Sequence, residues 1–504
     1  MDGGLKVDLT AELIEPKYSP AMRDTYYFRN ELRKSFGGEQ IGTDFAHAVM
    51  WVGLWTKLDQ VKLPVAITTK DVLYFSGGAW KYASPANLLS GTTTKPVSVV
   101  FFNDVMYFGS YDYELRSWDG SSSHAAVSGG NAFKTIETLN NRLLMGNIIS
   151  NGVAYAQQVK WSQNGTATFS GTGSGSQDLV DRDDEIRVIK KMGPFRGFVY
   201  KAESIVEARA TGEVTSPFEF SEKIGGFGIL CPSSIVHWAR GHMFIATDEE
   251  IYNFDGSNLD NIGKDIRDEL FPLLNPSLLD KVVAGYTRDT QEYLVVIPSV
   301  GETENSLFYA FDPRRRRWRS GRYPNVTSIG SYSTALGLSW DEAVGSWDAQ
   351  TKAWNEELGT ASRQSVIVGT TTKRVFKLTE GVHTFDGSAL QFEYSTGDVV
   401  GENDGDELTL LEVIVGYIVD GTAALTVDAS VDRGASFEGA VAADLGGGSL
   451  VSGDIQYVHV PMLVTGDNIR ARLRNSNSAH VIRIVSITLR LSIATESSRS
   501  ESTR

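Results

Sequence analysis

The chain has 504 residues, enough for about three domains at roughly 150 residues each, or for one repeat array. Lys and Arg total 47 against 62 Asp and Glu, and the net charge of −15 argues against a protein that wraps the outside of DNA or adheres to membranes through basic patches. The single cysteine, Cys231, cannot form an internal disulfide and excludes every multi-cysteine zinc site, so nothing in the chain needs an oxidising compartment.

The opening MDGGLKVDLTAELIEP has acids where a secretory leader carries basic residues and lacks an apolar core, so no leader is expected. The longest strongly apolar stretch, residues 46–55, contains a histidine and a glycine and is far short of the roughly 20 residues that span a bilayer. A soluble chain without membrane insertion is expected. Residues 1–60 read as an N-terminal arm with a short amphipathic segment.

A recurring phrase follows: a short apolar and aromatic run, a polar or glycine turn, then a second run ending in Trp, Phe or Asp-Gly. It begins at Asp71, Asp104, Asn141, Arg196, Gly241, Gln291 and Ser365, with a degraded copy over residues 338–354. Counting that copy, the mean spacing is about 42 residues, the length of one four-stranded propeller blade. Each phrase reads as a β-hairpin, and the run at 242–246 is apolar almost throughout, as in a strand covered on both faces. The expectation is an all-β protein: a β-propeller of six to eight blades over residues 61–385. A β-sandwich is the rival reading, but it gives no reason for the spacing.

Between two phrases, Ile262, Ile266 and Leu270 form one apolar stripe at helical spacing. Pro272 is expected to stop that helix, and Asn275-Pro276 to cap and start a second short turn. From about Gln391 the texture changes to long alternating strands. In NIRARLRN, Ile469, Ala471 and Leu473 face one way and Arg470, Arg472 and Arg474 the other, the period-2 signature of one wet face. A C-terminal β-sandwich over 386–495 is expected, joined to the propeller near 381–389, and residues 496–504 read as a disordered tail.

Catalytic chemistry was sought in paired carboxylates, histidine-assisted nucleophiles and phosphate loops, and none has the required spacing. His237 and His242 flank Trp238 in an apolar setting and read as packing residues. The glycine-rich SGTGSGS, residues 170–176, lacks the Lys-Ser/Thr of a phosphate loop and reads as a flexible connection. The acidic runs DRDDE, 181–185, and ENDGDE, 402–407, depart from the calcium-loop pattern and read as solvated turns. SVDRGASF, 430–437, matches the Asp-box form, in which an aspartate braces a hairpin turn above an aromatic plug. No metal, no cofactor and no enzymatic activity are expected.

The densest charge is DPRRRRWRSGR. Arg314, Arg315, Arg316, Arg317, Arg319 and Arg322 read either as an exposed hairpin tip or as an anion-facing rim that contacts a neighbouring subunit or DNA.

Taken in order, WSQNGTATF at Trp161, GSGSQDLVDRDDEIRVIKKMGPFRGFVYKAESI, GEVTSPFEFSEKIGGFGILCPSSIV, FIATDEEIYNFDG and a final module with SVDRGASF resemble the hub or nozzle proteins of short-tailed bacteriophages. These are also described as packaged-DNA stabilisation or tail tubular B-type proteins. The openings MDGGLKVD and FRNELRKSFGG are similar to the start of that family, and the likeness runs over residues 1–490. The arginine cluster is not part of it. The resemblance implies a non-enzymatic virion protein, assembled in the host cytoplasm, that forms a closed homo-oligomeric ring, six-fold in expectation. Its implied partners are the portal or adaptor, other tail proteins, fibres or spikes, and genomic DNA held in the lumen without sequence specificity. A negative lumen would let DNA slide, because neutralised phosphates would hold it. A glycan-binding or carbohydrate-active propeller is the second reading, with Trp80, Trp118 and Trp354 as candidate stacking surfaces, although blade packing accounts for them too.

Overall fold

A computed structural model describes residues 3–28, 31–333, 365–401, 406–419, 421–448, 454–476 and 482–494. The fold is a β-propeller followed by a β-sandwich. Seven sheets of four antiparallel strands follow one another as blades over residues 49–82, 98–126, 132–178, 186–225, 236–261, 283–322 and 326–379. Six of the seven repeated phrases are the second and third strands of a blade; the one at Asp71 is the third and fourth.

The first strand of each blade is innermost. Ala132–Leu139 lies between Ser98–Phe102 and Ile186–Lys191, and Val326–Tyr332 lies between Val283–Thr287 and Val49–Thr56, which closes the circle. At that closure Gly330 runs against blade one so tightly that a Cβ would lie 2.2 Å from the Val52 carbonyl oxygen. Only glycine allows that approach. The degraded repeat at 338–354 lies outside the described residues. It falls in sequence between the first and second strands of blade seven, so it does not supply an eighth blade.

Blades adhere through apolar cores between their faces. Trp55 and Trp118 fill the core between blades one and two, Trp161 and Ile189 that between three and four, and Phe198, Tyr200 and Phe244 that between four and five. Each such side chain, once fully buried, contributes about 1.5–3 kcal/mol. The core of blades five and six continues without a break into the sandwich, from Tyr293 and Trp318 to Tyr394, Leu425 and Ile469.

The first 60 residues, read from sequence as an arm, put their strands into five sheets. Gly4–Leu5 adds to the outer edge of blade six, with Leu5 opposite Trp318. Met22–Arg23 joins one sandwich sheet, and the hairpin Thr25–Phe28 and Glu31–Lys34 joins the other. Gly37–Gln40 is the outermost strand of blade seven, antiparallel to Val375–Thr379, and Val49–Thr56 is the first strand of blade one. The arm thus latches the propeller and ties it to the sandwich.

The helix runs over Arg267–Leu273, with Ile262, Ile266 and Leu270 buried as the stripe requires. Pro272 sits inside it near its end and does not stop it; the helix closes one residue later, where the Leu274 N–H donates to the Leu270 carbonyl. Asn275 caps a turn by accepting from the Ser277 N–H, and the next 3-10 turn starts only at Leu279.

In the sandwich, one sheet runs in the order Met22–Arg23, Phe392–Ser395, Asn468–Asn475, Gly421–Ser430, Glu438–Gly448. The other runs Thr25–Phe28, Glu31–Lys34, Ile482–Ala494, Glu407–Val419, Gln456–Gly466. Ile469, Ala471 and Leu473 point into the core as alternation predicts. The arginine face is not simply wet. Arg470 pairs with Asp398 at 2.7 and 3.0 Å, Arg472 grips Asp428 with two bonds of 2.9 Å, and Arg474 bonds the same carboxylate. Both aspartates are buried, so the arginines cap charge that alternation cannot reveal. Residues 496–504 lie outside the described residues.

Candidate functional site

The arginine cluster divides into a turn and a joint. Asp312 accepts the N–H groups of Arg314 and Arg315 and so shapes the turn that displays both side chains. Arg316 reaches across to blade five and holds Asp260 at 2.7 and 3.1 Å. Arg322 is exposed, 3.8 Å from Glu302. Arg317 and Arg319 correct the rim reading, because both are buried beneath the N-terminal arm. The Arg317 guanidinium lies 4.7 Å from the Tyr27 ring centre and donates to the Tyr27 carbonyl. Arg319 binds the Glu292 carboxylate through two 2.8 Å bonds and gives a third to Ser35 Oγ at 2.9 Å. Two of the six residues therefore fasten the arm to blade six, one fastens blade five, and Arg314, Arg315 and Arg322 are left able to meet a partner.

Asp24 stands at the same joint. Its φ is 49°, and its two carboxylate oxygens accept the N–H groups of Arg322 and Gln391, so blade six, the arm and the sandwich meet on one side chain. Burial pushes its carboxyl up to about 6 against those hydrogen bonds. No sequence signal marks it.

The DRDDE run is not all solvated turn. Asp184 is buried, 2.5 Å from the ammonium of the equally buried Lys201, and it accepts from the Glu203 N–H and Ser204 Oγ. Lys201 also donates to the carbonyls of Leu179 and Arg182, so the run fixes the crossing from blade three to blade four. Residues 402–405 of ENDGDE lie outside the described residues. The SGTGSGS connection is braced rather than loose: Arg142 donates to the Gly173 carbonyl and Gln163 to that of Ser170. In the Asp-box, Asp432 accepts from Ser430 Oγ and the Ser436 N–H, as that turn requires. Its Phe437 is half-buried and lies under the Arg472 guanidinium at 3.6 Å, where a deeper plug was expected.

Trp118 is buried against Trp55 and Tyr74, and Trp80 packs on Phe45 and Phe75 while donating to the Ile41 carbonyl. Trp354 lies outside the described residues. His242 is a core residue bonded to Tyr200 Oη at 2.8 Å and the Lys191 carbonyl at 3.0 Å, whereas His237 is exposed and meets it edge-on. Among the described residues no three His, Cys, Asp or Glu side chains cluster as metal ligands do.

Burial pulls the His242 imidazole down to about 3. The unfolded chain takes this proton near pH 6.5, so His242 contributes stability fully above that pH and loses it as the pH falls toward 3. In denaturant melts between pH 6 and 4, His242→Gln is expected to flatten the fall by one proton, about 1.4 kcal/mol per pH unit. An unchanged slope would show that His242 is protonated in the native state.

One polar cavity, of about 350 Å³, opens where the inner strands begin, at one mouth of the propeller axis. Lys95 precedes the inner strand of blade two, Lys134 lies in that of blade three, Glu185 and Arg187 at the start of that of blade four, and Asp280 just before that of blade six. Lys134 lies 3.5 Å from Glu185 and 3.7 Å from Asp280, so an ion pair crosses the axis. Sequence reasoning missed this group because its members are scattered singly over nearly 190 positions.

No family model and no curated protein matches the sequence. Among solved structures the chain is similar to BamB from Moraxella catarrhalis, with 9% identity, TM-score 0.35, and coverage of 70% of this chain and 93% of that one. It is similar also to the Pan2 WD40 domain of Neurospora crassa, with 7% identity, TM-score 0.36, and coverage of 70% and 96%. An exo-beta-1,3-galactanase from Phanerochaete chrysosporium aligns over 91% of this chain and 100% of its own, at 10% identity and TM-score 0.27.

Proposed function

We propose that this chain is a structural virion protein, one subunit of a closed ring, six-fold in expectation, at the distal part of a short bacteriophage tail. There it continues the DNA channel and helps retain the genome until ejection. The reading starts from the ordered resemblance of the sequence to hub and nozzle proteins. The observation that carries it further is the open edge of the five-stranded sandwich sheet. Among the described residues Gln456–Gly466 is hydrogen-bonded to a neighbouring strand on one side only, and it displays Tyr457 at 61% exposure and Leu463 at 82%. An unpaired edge of this length carrying large apolar side chains is a template for association, and head-to-tail contacts that close make a ring. The DNA path in this reading is the lumen between subunits, since the Lys134–Asp280 pair bars the propeller's own axis to a duplex.

Light scattering tests the reading. The wild-type chain is expected to run as a closed multiple of its 55.1 kDa mass, and Leu463→Lys as a folded monomer. A wild-type monomer at micromolar concentration, or a ring unaffected by the substitution, would remove the support drawn from this edge.

A further inference from the structure

Three cations converge on the axial mouth from three successive blades: Lys95, Lys134 and Arg187. The acids facing them, Glu185 and Asp280, do not neutralise them closely. Arg187 Nε is 3.3 Å from Glu185, and Lys134 stands 3.5 and 3.7 Å from the two carboxylates, whereas a close charge-assisted bond is about 2.7–2.9 Å long. The Lys134 ammonium is thus shared between two acids and seated on neither. Lys95 stands 5.8 Å from the centre of the Tyr111 ring, a weak contact for an ammonium. Arg187 is held in place, because its Nη1 donates to the carbonyls of Ile229 and Leu230 at 2.8 Å. Lys281, also on the wall, is already committed to Glu304 and the Thr303 carbonyl. The groups left facing the cavity are three positive and two negative.

A cavity of about 350 Å³ is at the lower end of the range for small-molecule sites, room for one or two sugar rings. Net positive charge selects an oxyanion, and the two carboxylates accept from hydroxyl groups around it. We infer that the axial mouth is a binding site for a small hydroxylated anion, a sugar or polyol that carries a carboxylate or a phosphate. The anion sits between Lys95, Lys134 and Arg187, and its hydroxyls donate to Glu185 and Asp280. This site is independent of ring assembly and makes no use of the sandwich edge.

Isothermal titration of the full chain at low ionic strength, where screening is weak, tests it with glucuronate, glucose 6-phosphate and neutral glucose. Saturable binding of either anion, with none of glucose, is expected, and the tighter of the two identifies the group. Lys134→Gln is expected to weaken it about tenfold or more, the loss of one charged hydrogen bond. Lys95→Gln, at a half-buried position that lies in no ion pair, is expected to weaken it in the same direction without disturbing the fold. Absence of binding to the wild-type chain, or binding that both variants retain unchanged, would overturn the inference and would leave the mass of the assembly unaffected.

Discussion

Replacing Arg319 by methionine is expected to lower the unfolding free energy by about 3–5 kcal/mol, the cost of stranding one partner of a buried ion pair. The stranded group is Glu292, whose carboxylate receives two of the guanidinium's bonds, and Ser35 loses its donor as well. Because Ser35 belongs to the arm, the loss is expected to be local before it is global. Trypsin should cleave after Lys34 and Arg33 in the variant under conditions where the wild-type chain resists. Adding Glu292→Leu removes the stranded charge and is expected to restore part of the stability, because an apolar replacement of a buried pair is often close to neutral. A melt displaced by less than about 1 kcal/mol, with no new cleavage, would mean that the arm is held elsewhere.

Lys201→Met is expected to produce a loss of similar size, about 3–5 kcal/mol, on the opposite side of the ring. It leaves Asp184 buried without its cation and the carbonyls of Leu179 and Arg182 without their donor. Denaturant melts give the magnitude, and hydrogen exchange gives the place: amides of Ile186–Lys191 and Arg196–Lys201 are expected to lose protection first. The double variant Asp184→Asn, Lys201→Met is expected to recover part of the difference. If the single variant melted like the wild-type chain, the DRDDE run would be an ordinary turn after all.

The propeller was legible because its second and third strands are written locally. A phrase such as GHMFIATDEEIYNFDG carries both strands and the turn between them within 16 residues. The blade-one strand Val49–Thr56 was missed since it precedes the first phrase, and the blade-seven latch at Gly37–Gln40 offers only GGEQ, four residues without a pattern. Its partner is more than 330 positions away. The arginine cluster shows a different limit. Counting charges identified the turn at Arg314 and Arg315 but could not show that Glu292 and the arm cover Arg317 and Arg319, because pairing between remote segments leaves no trace in local composition. The axial cavity was illegible for the same reason: Lys134 and Asp280 look like ordinary charges until the ring brings them together.

The latch also sets a timetable for synthesis. Glu39 is made early, yet the strand it must lie beside, around Lys377, is 338 residues behind it on the ribosome. At about 5–20 residues per second the nascent arm waits roughly 20–70 s for its neighbour. Throughout that interval blade seven does not yet exist, and the first strands of the sandwich have nothing to join. The segment produced first is therefore the last to be fixed in place, and translation stalled short of residue 380 leaves a growing wheel that has no means of locking.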